Sequence, residues 1–126
     1  MNITNVDDLE SKHFSPHGGK GKIDMKFAFT KLKKKGKKSA WNFFGIAEFP
    51  IGATAGYHKH EGNDEWFYIL AGEADVIIDG KGHSIKKGDI ILTKDGSSHD
   101  IVNVKKKLVL IAIEVETGWI SPQRYT

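Results

Sequence analysis

The sequence predicts an all-β fold, a small antiparallel barrel or sandwich, and three observations support it. Apolar and polar residues alternate at a period of two in several segments, which is typical of half-buried strands. Turn signals recur every eight to twelve residues or so, as in barrels and sandwiches. No segment keeps a period of 3.6 residues, so no long amphipathic helix is expected. The length of 126 residues suits one domain, and a barrel of about eight to ten strands fits it.

The predicted elements follow one another from residue 22. Residues 1–21 are polar and Gly-rich and predict a loosely ordered arm, with His13 and His17 as solvated surface residues. Residues 22–118 form the predicted barrel, and residues 119–126 form a short C-terminal tail. The predicted strands are IDMKFAFT, AWNFFGIAEF, EWFYIL, ADVIID, residues 83–87, DIILT, HDIVNV and LVLIAIEVE.

Turns are predicted between these strands. The lysine-rich segment KLKKKGKK, residues 31–38, is interpreted as a hairpin tip whose charges discourage edge pairing. The alternative is a patch for an acidic partner or a membrane surface. The other predicted turns are Ala71-Gly72-Glu73, Asp79-Gly80, KDGSS and Lys105 to Lys107.

Composition restricts the classes of function. The chain has no cysteine, which excludes disulfides, thiolate metal sites and a cysteine nucleophile. Arg124 is the single arginine beside eighteen lysines, so bidentate contacts to phosphate or guanine are almost absent and nucleic-acid binding is not expected. The longest aliphatic run, LVLIAI, is far too short for a membrane span, and the polar N-terminus does not resemble a signal peptide. A cytoplasmic location is expected.

The stretch GYHKHEGNDEW, residues 56–66, carries side chains that bind metals. His58 and His60 occupy positions i and i+2 of a predicted strand, so they face the same way with Cα atoms about 6.6 Å apart. Glu65 follows a predicted Gly-Asn-Asp turn that brings it back beside them, and His99 could reach the same point from across the sheet. Three neutral imidazoles and one carboxylate suit a single divalent transition metal: Mn, Fe, Co, Ni, Cu or Zn. A six-coordinate ion would keep two open positions, as catalysis requires.

Two segments of the sequence resemble the two motifs of the cupin family. The first reads Gly52-ATAGY-His58-Lys59-His60-EGND-Glu65-WFYILA-Gly72 and matches in full. The second reads Gly88-DIILT-Lys94-Asp95-Gly96-SS-His99-DIV-Asn103 and departs from the family pattern only at Lys94, where proline is usual. Together they span residues 52–103, about two-fifths of the chain.

The resemblance implies a single-domain cupin, a jelly-roll or double-stranded β-helix barrel, with His58, His60, Glu65 and His99 as the metal ligands. Lys94 implies a looser turn before His99, because proline would pre-set φ there. The motif glycines at 52, 72, 88 and 96 are expected to be structural. Asn103 would bond either backbone or the second nitrogen of a ligand, and the residues do not decide between them.

Two functional hypotheses follow, because cupins host many activities. The first is a metalloenzyme that acts on a small oxygen-rich molecule, as a dioxygenase or as a Lewis-acid isomerase, lyase or decarboxylase. The alternative is a non-catalytic cupin module that binds or senses a sugar or another small molecule. No clear general base stands out, and the weak candidates for a catalytic residue are Glu48, Tyr57, Glu61 and Asp64.

Alternation from Glu65 also predicts which side chains face outward. Phe67 and Ile69 should point inward, and Trp66, Tyr68 and Leu70 outward. Outward aromatic residues of a barrel often pack on a partner, so a homodimer is predicted. The remaining large aromatic side chains are interpreted as core or interface residues, and they are Trp41, Phe43, Phe44, Tyr57 and Trp119. His83, at a hairpin edge, is expected to be exposed.

Overall fold

The fold consists almost entirely of β-strands. A computed structural model describes residues 3–30 and 40–117; the lysine-rich turn predicted at 31–38, Trp119 and the tail 119–126 lie outside this part of the chain. The described residues form one 3-10 turn, Val6–Asp8, and eight strands. The strands are β1 Lys12–Phe14, β2 Ile23–Ala28, β3 Trp41–Phe49, β4 His58–Lys59, β5 Asn63–Ile78, β6 Lys81–Lys86, β7 Ile90–Thr93 and β8 Ser98–Glu116.

All strand pairs are antiparallel, which confirms the predicted fold class. The strand order is β1-β2-β3-β8-β5-β6, with β4 paired to β8 and β7 paired to β5. The two longest strands, β5 and β8, pair over most of their length. The shorter strands therefore lie on either side of this central ladder.

The core lies inside the barrel and follows the period-two pattern. On β8, Leu108, Leu110 and Ala112 are buried at alternate positions. On β5, Phe67 and Ile69 are buried as predicted, whereas Tyr68 and Leu70 are exposed and Trp66 is partly exposed. The other core side chains include Ile23, Met25, Ala47, Phe49, Val76, Ile85, Ile91, Ile101 and Val104.

Two of the predicted turns are wrong. Residues 71–73 and 105–107 lie within β5 and β8, which continue through both segments. The β5–β8 register shifts between Ile69 and Asp75, so the glycine marks a bulge rather than a reversal of the chain. Gly72 has φ +93°, and a Cβ atom there would lie 2.1 Å from the carbonyl oxygen of Lys107. A close backbone approach, and not a turn, requires this glycine.

The N-terminal segment adds to the sheet. Within residues 1–21, which the sequence predicts as a loosely ordered arm, β1 pairs with β2 in a register that places Phe14 opposite Ile23.

The division into arm, barrel and tail stays a prediction from sequence. Among the described residues, no helix has the length and apolar character needed to cross a membrane.

Candidate metal centre

Three strands bring the predicted ligands together. His58 on β4 lies directly opposite His99 on β8. His60 follows β4 and stays on the same ladder, because its N–H donates to the carbonyl of Ser97 at 2.9 Å. Glu65 lies on β5, the neighbour of β8 on the other side. The Gly-Asn-Asp turn predicted before Glu65 is shorter than expected, since β5 already begins at Asn63.

The four donor atoms converge on one point. The three imidazole Nε2 atoms are 3.2 Å apart for His58 and His60, 2.8 Å for His60 and His99, and 3.1 Å for His58 and His99. Glu65 Oε1 lies 3.3 Å from His60 Nε2 and 3.2 Å from His99 Nε2. All four donors lie within 4.8 Å of one another, so the cluster could hold a metal ion.

The chemistry of this donor set fits a cation. Imidazole and carboxylate donors sit about 2.0–2.2 Å from such an ion, so donors at right angles are about 3 Å apart, as five of the six pairs are here. The Nδ1 atoms are held from behind: His58 Nδ1 donates to the carbonyl of Gly56 at 2.7 Å, and His60 Nδ1 donates to Asn63 Oδ1. When these two rings are neutral, both protons are on Nδ1 and both Nε2 lone pairs point at the common centre; His60 Nε2 donates to Glu65 only when its ring is protonated.

The surroundings of these donors also shift their pKa values. Burial lowers the pKa of His58 to about 4, which keeps its imidazole neutral at neutral pH. Burial alone would raise the pKa of Glu65, but hydrogen bonds with His60 and His99 outweigh it and lower that pKa to about 2. For His60, hydrogen bonds with Glu65 and Asn63 outweigh the effect of burial and raise the pKa. The site thus offers an anionic carboxylate beside a neutral imidazole.

The donors line a cavity of about 430 Å³ inside the barrel. Most of its wall is apolar, and its aromatic lining residues are Phe14, Phe27, Phe43, Phe49 and Phe67. Besides the four donors, the polar lining residues are His17, Lys59, Asn63 and Glu114. An apolar cavity with a few convergent polar groups is the usual form of a small-molecule site.

The four weak candidates for a catalytic residue do not line this cavity. Glu48 is 3.5 Å from Lys107, and Glu61 is 3.5 Å from Lys59, both as exposed ion pairs. Tyr57 is 53% exposed. Asp64 accepts a hydrogen bond from the backbone N–H of Asp95 at 2.7 Å, which is a structural role.

That bond belongs to a network that fixes the turn before His99, where Lys94 replaces the motif proline. Asp95 Oδ1 accepts from the N–H of Gly62 at 2.8 Å, and Asp95 Oδ2 accepts from the hydroxyl of Thr117 at 2.6 Å. The N–H of Ser97 donates to the carbonyl of Lys94 at 2.9 Å. These bonds hold the turn that a proline would otherwise stiffen.

Sequence reasoning missed Glu114. Its side chain is half-buried, its Oε1 lies 3.6 Å from His60 Nδ1, and it accepts from Asn42 at 3.1 Å. Burial, with the charge of Glu65, raises the pKa of Glu114. The signal was present in LVLIAIEVE, because alternation from Leu108 places this acidic residue at an inward position.

The expectation for His17 holds only in part: the residue is exposed, as predicted, but its ring also contacts the site. His13 is exposed, as predicted, but the ring of His17 stacks on that of His58 with centroids 3.4 Å apart and planes 16° apart. His17 is exposed as a residue, although the partial burial of its ring against His58 still lowers its pKa. The segment after β1 forms part of the cavity wall, so this histidine is not simply a solvated residue.

The remaining predictions concern residues that do not line the cavity. Asn103 donates to Asp75 at 2.9 Å on the surface, which indicates a structural role. His83 is exposed as predicted. The glycines at 52, 72, 88 and 96 all have φ between +82° and +93°, which side chains rarely adopt.

Comparison with known proteins identifies the class of protein. Residues 45–116 match the model of the family described as "Cupin domain", more than half of the chain, so this chain belongs to the cupin family. The "Oxalate-binding protein" of Thermotoga maritima is 40% identical over 86 residues, which cover 68% of this chain and 69% of that protein. The "Pectin degradation protein KdgF" of Dickeya dadantii is 33% identical over 63 residues, 50% of this chain and 57% of that protein.

Solved structures agree with the barrel described above. A crystal structure of "a predicted oxalate decarboxylase" from Thermotoga maritima is similar with a TM-score of 0.79 and 32% identity, over 90% of this chain and 98% of that chain. KdgF from Halomonas has a TM-score of 0.68 at 17% identity over 87% of this chain and 88% of that chain, which indicates a shared fold alone.

Proposed function

We propose that this chain binds one divalent transition metal ion through His58, His60, Glu65 and His99 and acts on a small oxygen-rich acid, with oxalate as the first candidate. The observation that carries the proposal is the convergence of four donor atoms within 4.8 Å at the wall of a cavity. A bound ion would supply Lewis-acid chemistry, polarising the oxygens of a ligand. Four protein donors leave two positions of a six-coordinate ion for such a ligand.

The charges that line the cavity and the name of one relative both support a small chelating acid. No arginine lies among the described residues, and the one lysine in the cavity lining, Lys59, is paired with Glu61. A carboxylate ligand would therefore depend on the ion for most of its charge compensation. A relative 40% identical to this chain is named for binding oxalate, whose two carboxylates can chelate one ion.

Glu114 favours an enzyme. Apart from Glu65, it is the one carboxyl group among the described residues that lines the cavity. Decarboxylation of singly protonated oxalate gives CO₂ and formate, and the proton must reach the carbon that loses CO₂. A second carboxyl group beside the donors could hold and deliver that proton. Glu114 is accordingly our candidate for the general acid.

The second candidate function is binding without turnover. It is favoured by the absence of Glu48, Tyr57, Glu61 and Asp64 from the cavity lining, which leaves few groups for proton transfer. A largely apolar wall with one extra carboxyl group also suits capture of a small molecule. The relative named as a binding protein is consistent with this alternative.

The test combines metal content with the fate of oxalate. Untagged protein, His99→Ala and the surface control His83→Ala would be analysed for Mn, Fe, Co, Ni, Cu and Zn, then loaded and titrated with oxalate. We expect near-stoichiometric metal in the unmodified protein and the control, with a loss of at least about tenfold in His99→Ala. Formate and CO₂ from oxalate, lost in Glu114→Gln, would support the enzyme.

The outcomes distinguish an enzyme, a binding module and a protein without the proposed metal centre. Tight oxalate binding without formate would favour the binding module. Equal metal content in His99→Ala and the unmodified protein would refute the metal centre. Oxygen uptake measured in parallel distinguishes an oxygenase from a decarboxylase, since oxalate decarboxylation consumes no net oxygen.

We further propose that the protein forms a homodimer through the outer face of β5 and β7. Trp66 and Tyr68 pair across the ladder with Leu92 and Ile90, so the four side chains share one face. Tyr68 is 46% exposed and Ile90 71% exposed. A contiguous apolar face of this kind is typical of a protein interface. A cytoplasmic location stays an expectation from the sequence.

A further inference from the structure

The N-terminal segment, residues 14–21, contributes to one wall of the cavity, although it lies outside both cupin motifs. Phe14, Pro16 and His17 all line the cavity. The segment is anchored to residues 54–56: the N–H of Lys20 donates to Thr54 Oγ1 at 2.7 Å, and the N–H of Thr54 donates to the carbonyl of Lys20 at 3.0 Å. These bonds fix the wall on the side of the site that carries His58.

Close backbone contacts fix the segment at His17 and at Gly19. A Cβ atom on Gly56 would lie 2.2 Å from the carbonyl oxygen of His17, and a Cβ atom on Gly19 would lie 2.2 Å from the carbonyl oxygen of Thr54. Both glycines therefore allow the segment to pack closer than any side chain would permit. The backbone therefore holds the His17 ring in place over the ring of His58.

Apart from Glu114, His17 is the polar lining residue outside the donor set that has hydrogen-bonding capacity left for a ligand. Asn63 is committed to His60 and to the carbonyl of Glu61, and Lys59 is paired with Glu61. Neither ring nitrogen of His17 has a hydrogen-bond partner within residues 3–30 and 40–117. A neutral imidazole with both nitrogens free can donate one hydrogen bond and accept another.

We propose that His17 is a specificity-determining residue that donates a hydrogen bond to a ligand oxygen not bound to the metal, while its ring face supports His58. The proposal rests on the metal and ligand proposed above. A small acid that chelates the ion through two oxygens directs its remaining oxygens into the cavity. His17, stacked beside one donor and lining the same cavity, is positioned to meet them.

The test separates the two roles of the ring. His17→Phe keeps a flat ring to stack on His58 but removes the hydrogen-bonding nitrogens, whereas His17→Ala removes both. His13→Phe is the matched control, because His13 belongs to the same segment but does not line the cavity, and its side chain is 64% exposed. The metal dissociation constant would be measured by competition with a chelator, and the oxalate dissociation constant by calorimetry on the metal-loaded proteins.

We expect His17→Phe to keep the metal dissociation constant within about threefold and to weaken oxalate binding roughly tenfold, as for the loss of one hydrogen bond. His17→Ala should also weaken metal binding, and His13→Phe should change neither constant. Gly19→Ala keeps the His17 side chain but forces the segment away from Thr54, so it should weaken oxalate binding as well.

The results that would overturn the proposal are distinct from those that would overturn the metal centre. Equal oxalate affinity in His17→Phe and the unmodified protein, with metal bound to both, would refute the role of His17 alone. Failure of the metal-loaded unmodified protein to bind oxalate would refute the proposed ligand and this assignment with it.

Discussion

The hydroxyl of Thr93 should control metal affinity without touching the metal. Thr93 is 1% exposed and His99 2% exposed, and Thr93 Oγ1 lies 2.7 Å from His99 Nδ1. When His99 ligates through Nε2, its Nδ1 carries the proton and donates to this hydroxyl. Thr93→Val removes the acceptor and keeps the shape of the side chain, which leaves a buried N–H without a partner.

The magnitude follows from the burial of both groups. An unsatisfied buried donor costs about 1–3 kcal/mol, which corresponds to a loss of roughly 10- to 100-fold in metal affinity. Thr93→Ser is the matched control, because it keeps the hydroxyl and loses one methyl group, worth about 0.8 kcal/mol of stability. In the metal-free proteins His99 can carry its proton on Nε2 instead, 3.2 Å from Glu65 Oε1, so the N–H without a partner arises only when the ion binds. The two variants should therefore differ little in the free energy of unfolding of the metal-free protein but strongly in metal affinity.

The assay is chelator competition on both variants, with urea unfolding of the metal-free proteins beside it. A metal dissociation constant for Thr93→Val within about threefold of the unmodified protein would refute the reasoning. An equal loss of affinity in Thr93→Ser would refute it too, since that variant keeps the acceptor.

Three further predictions follow. Because protons compete with the ion for imidazole, metal affinity should fall about tenfold per pH unit for each proton displaced. The fall should begin below the raised pKa of His60 and become steeper below about 4, the pKa of His58. Calorimetry across a pH series measures it. Gly72→Ala should lower the free energy of unfolding by at least about 2 kcal/mol, because it combines positive φ with a backbone clash at Lys107. Ile90→Glu should convert a dimer to a monomer in light scattering, because it places a charge in the apolar outer face.

Controls make each of these predictions specific. Affinity that does not change between about pH 7 and 4 would contradict the titration of imidazole ligands. Gly82→Ala should change stability by no more than about 0.5 kcal/mol, since nothing lies within 4 Å of a Cβ atom there. Ile3→Glu alters a residue that is 77% exposed and lies outside the strands, so it should leave the oligomeric state unchanged. A monomer before any substitution would refute the dimer.

Three of the four predicted ligands could be brought together from sequence because their convergence depends mainly on local rules. His58 and His60 share a face through the period of a strand, and Glu65 returns after one glycine with φ +79°. His99 is different, because it lies 41 positions from His58 and meets it through the pairing of β4 with β8. Its place in the ligand set came from the resemblance to the cupin motifs and not from local rules.

The partners behind the ligands could not be found in this way. Thr93 reaches His99 because β7 pairs with β5 in a register that places it opposite Glu65, and Glu114 lies opposite Glu65 on the other side. Such registers join distant parts of the chain and shift at bulges, which alternation alone does not locate. The same limit explains the wrong turns at residues 71–73 and 105–107, where charged and glycine residues continue a strand.

The ladders also explain how the chain can hold a donor set that is unfavourable without a cation. The Nε2 atoms of His58 and His60 are 3.2 Å apart, yet both protons are committed to Nδ1, so neither can donate to the other. The pairing of His58 with His99, and the bond from His60 N–H to Ser97, fix the backbone regardless of any ion. The hydrogen bonds between strands therefore offset the unfavourable approach of the Nε2 atoms, as the rest of a fold commonly does for a functional site. It follows that loss of a ligand such as His99 should empty the site without unfolding the barrel, unlike small domains whose folding depends on the metal.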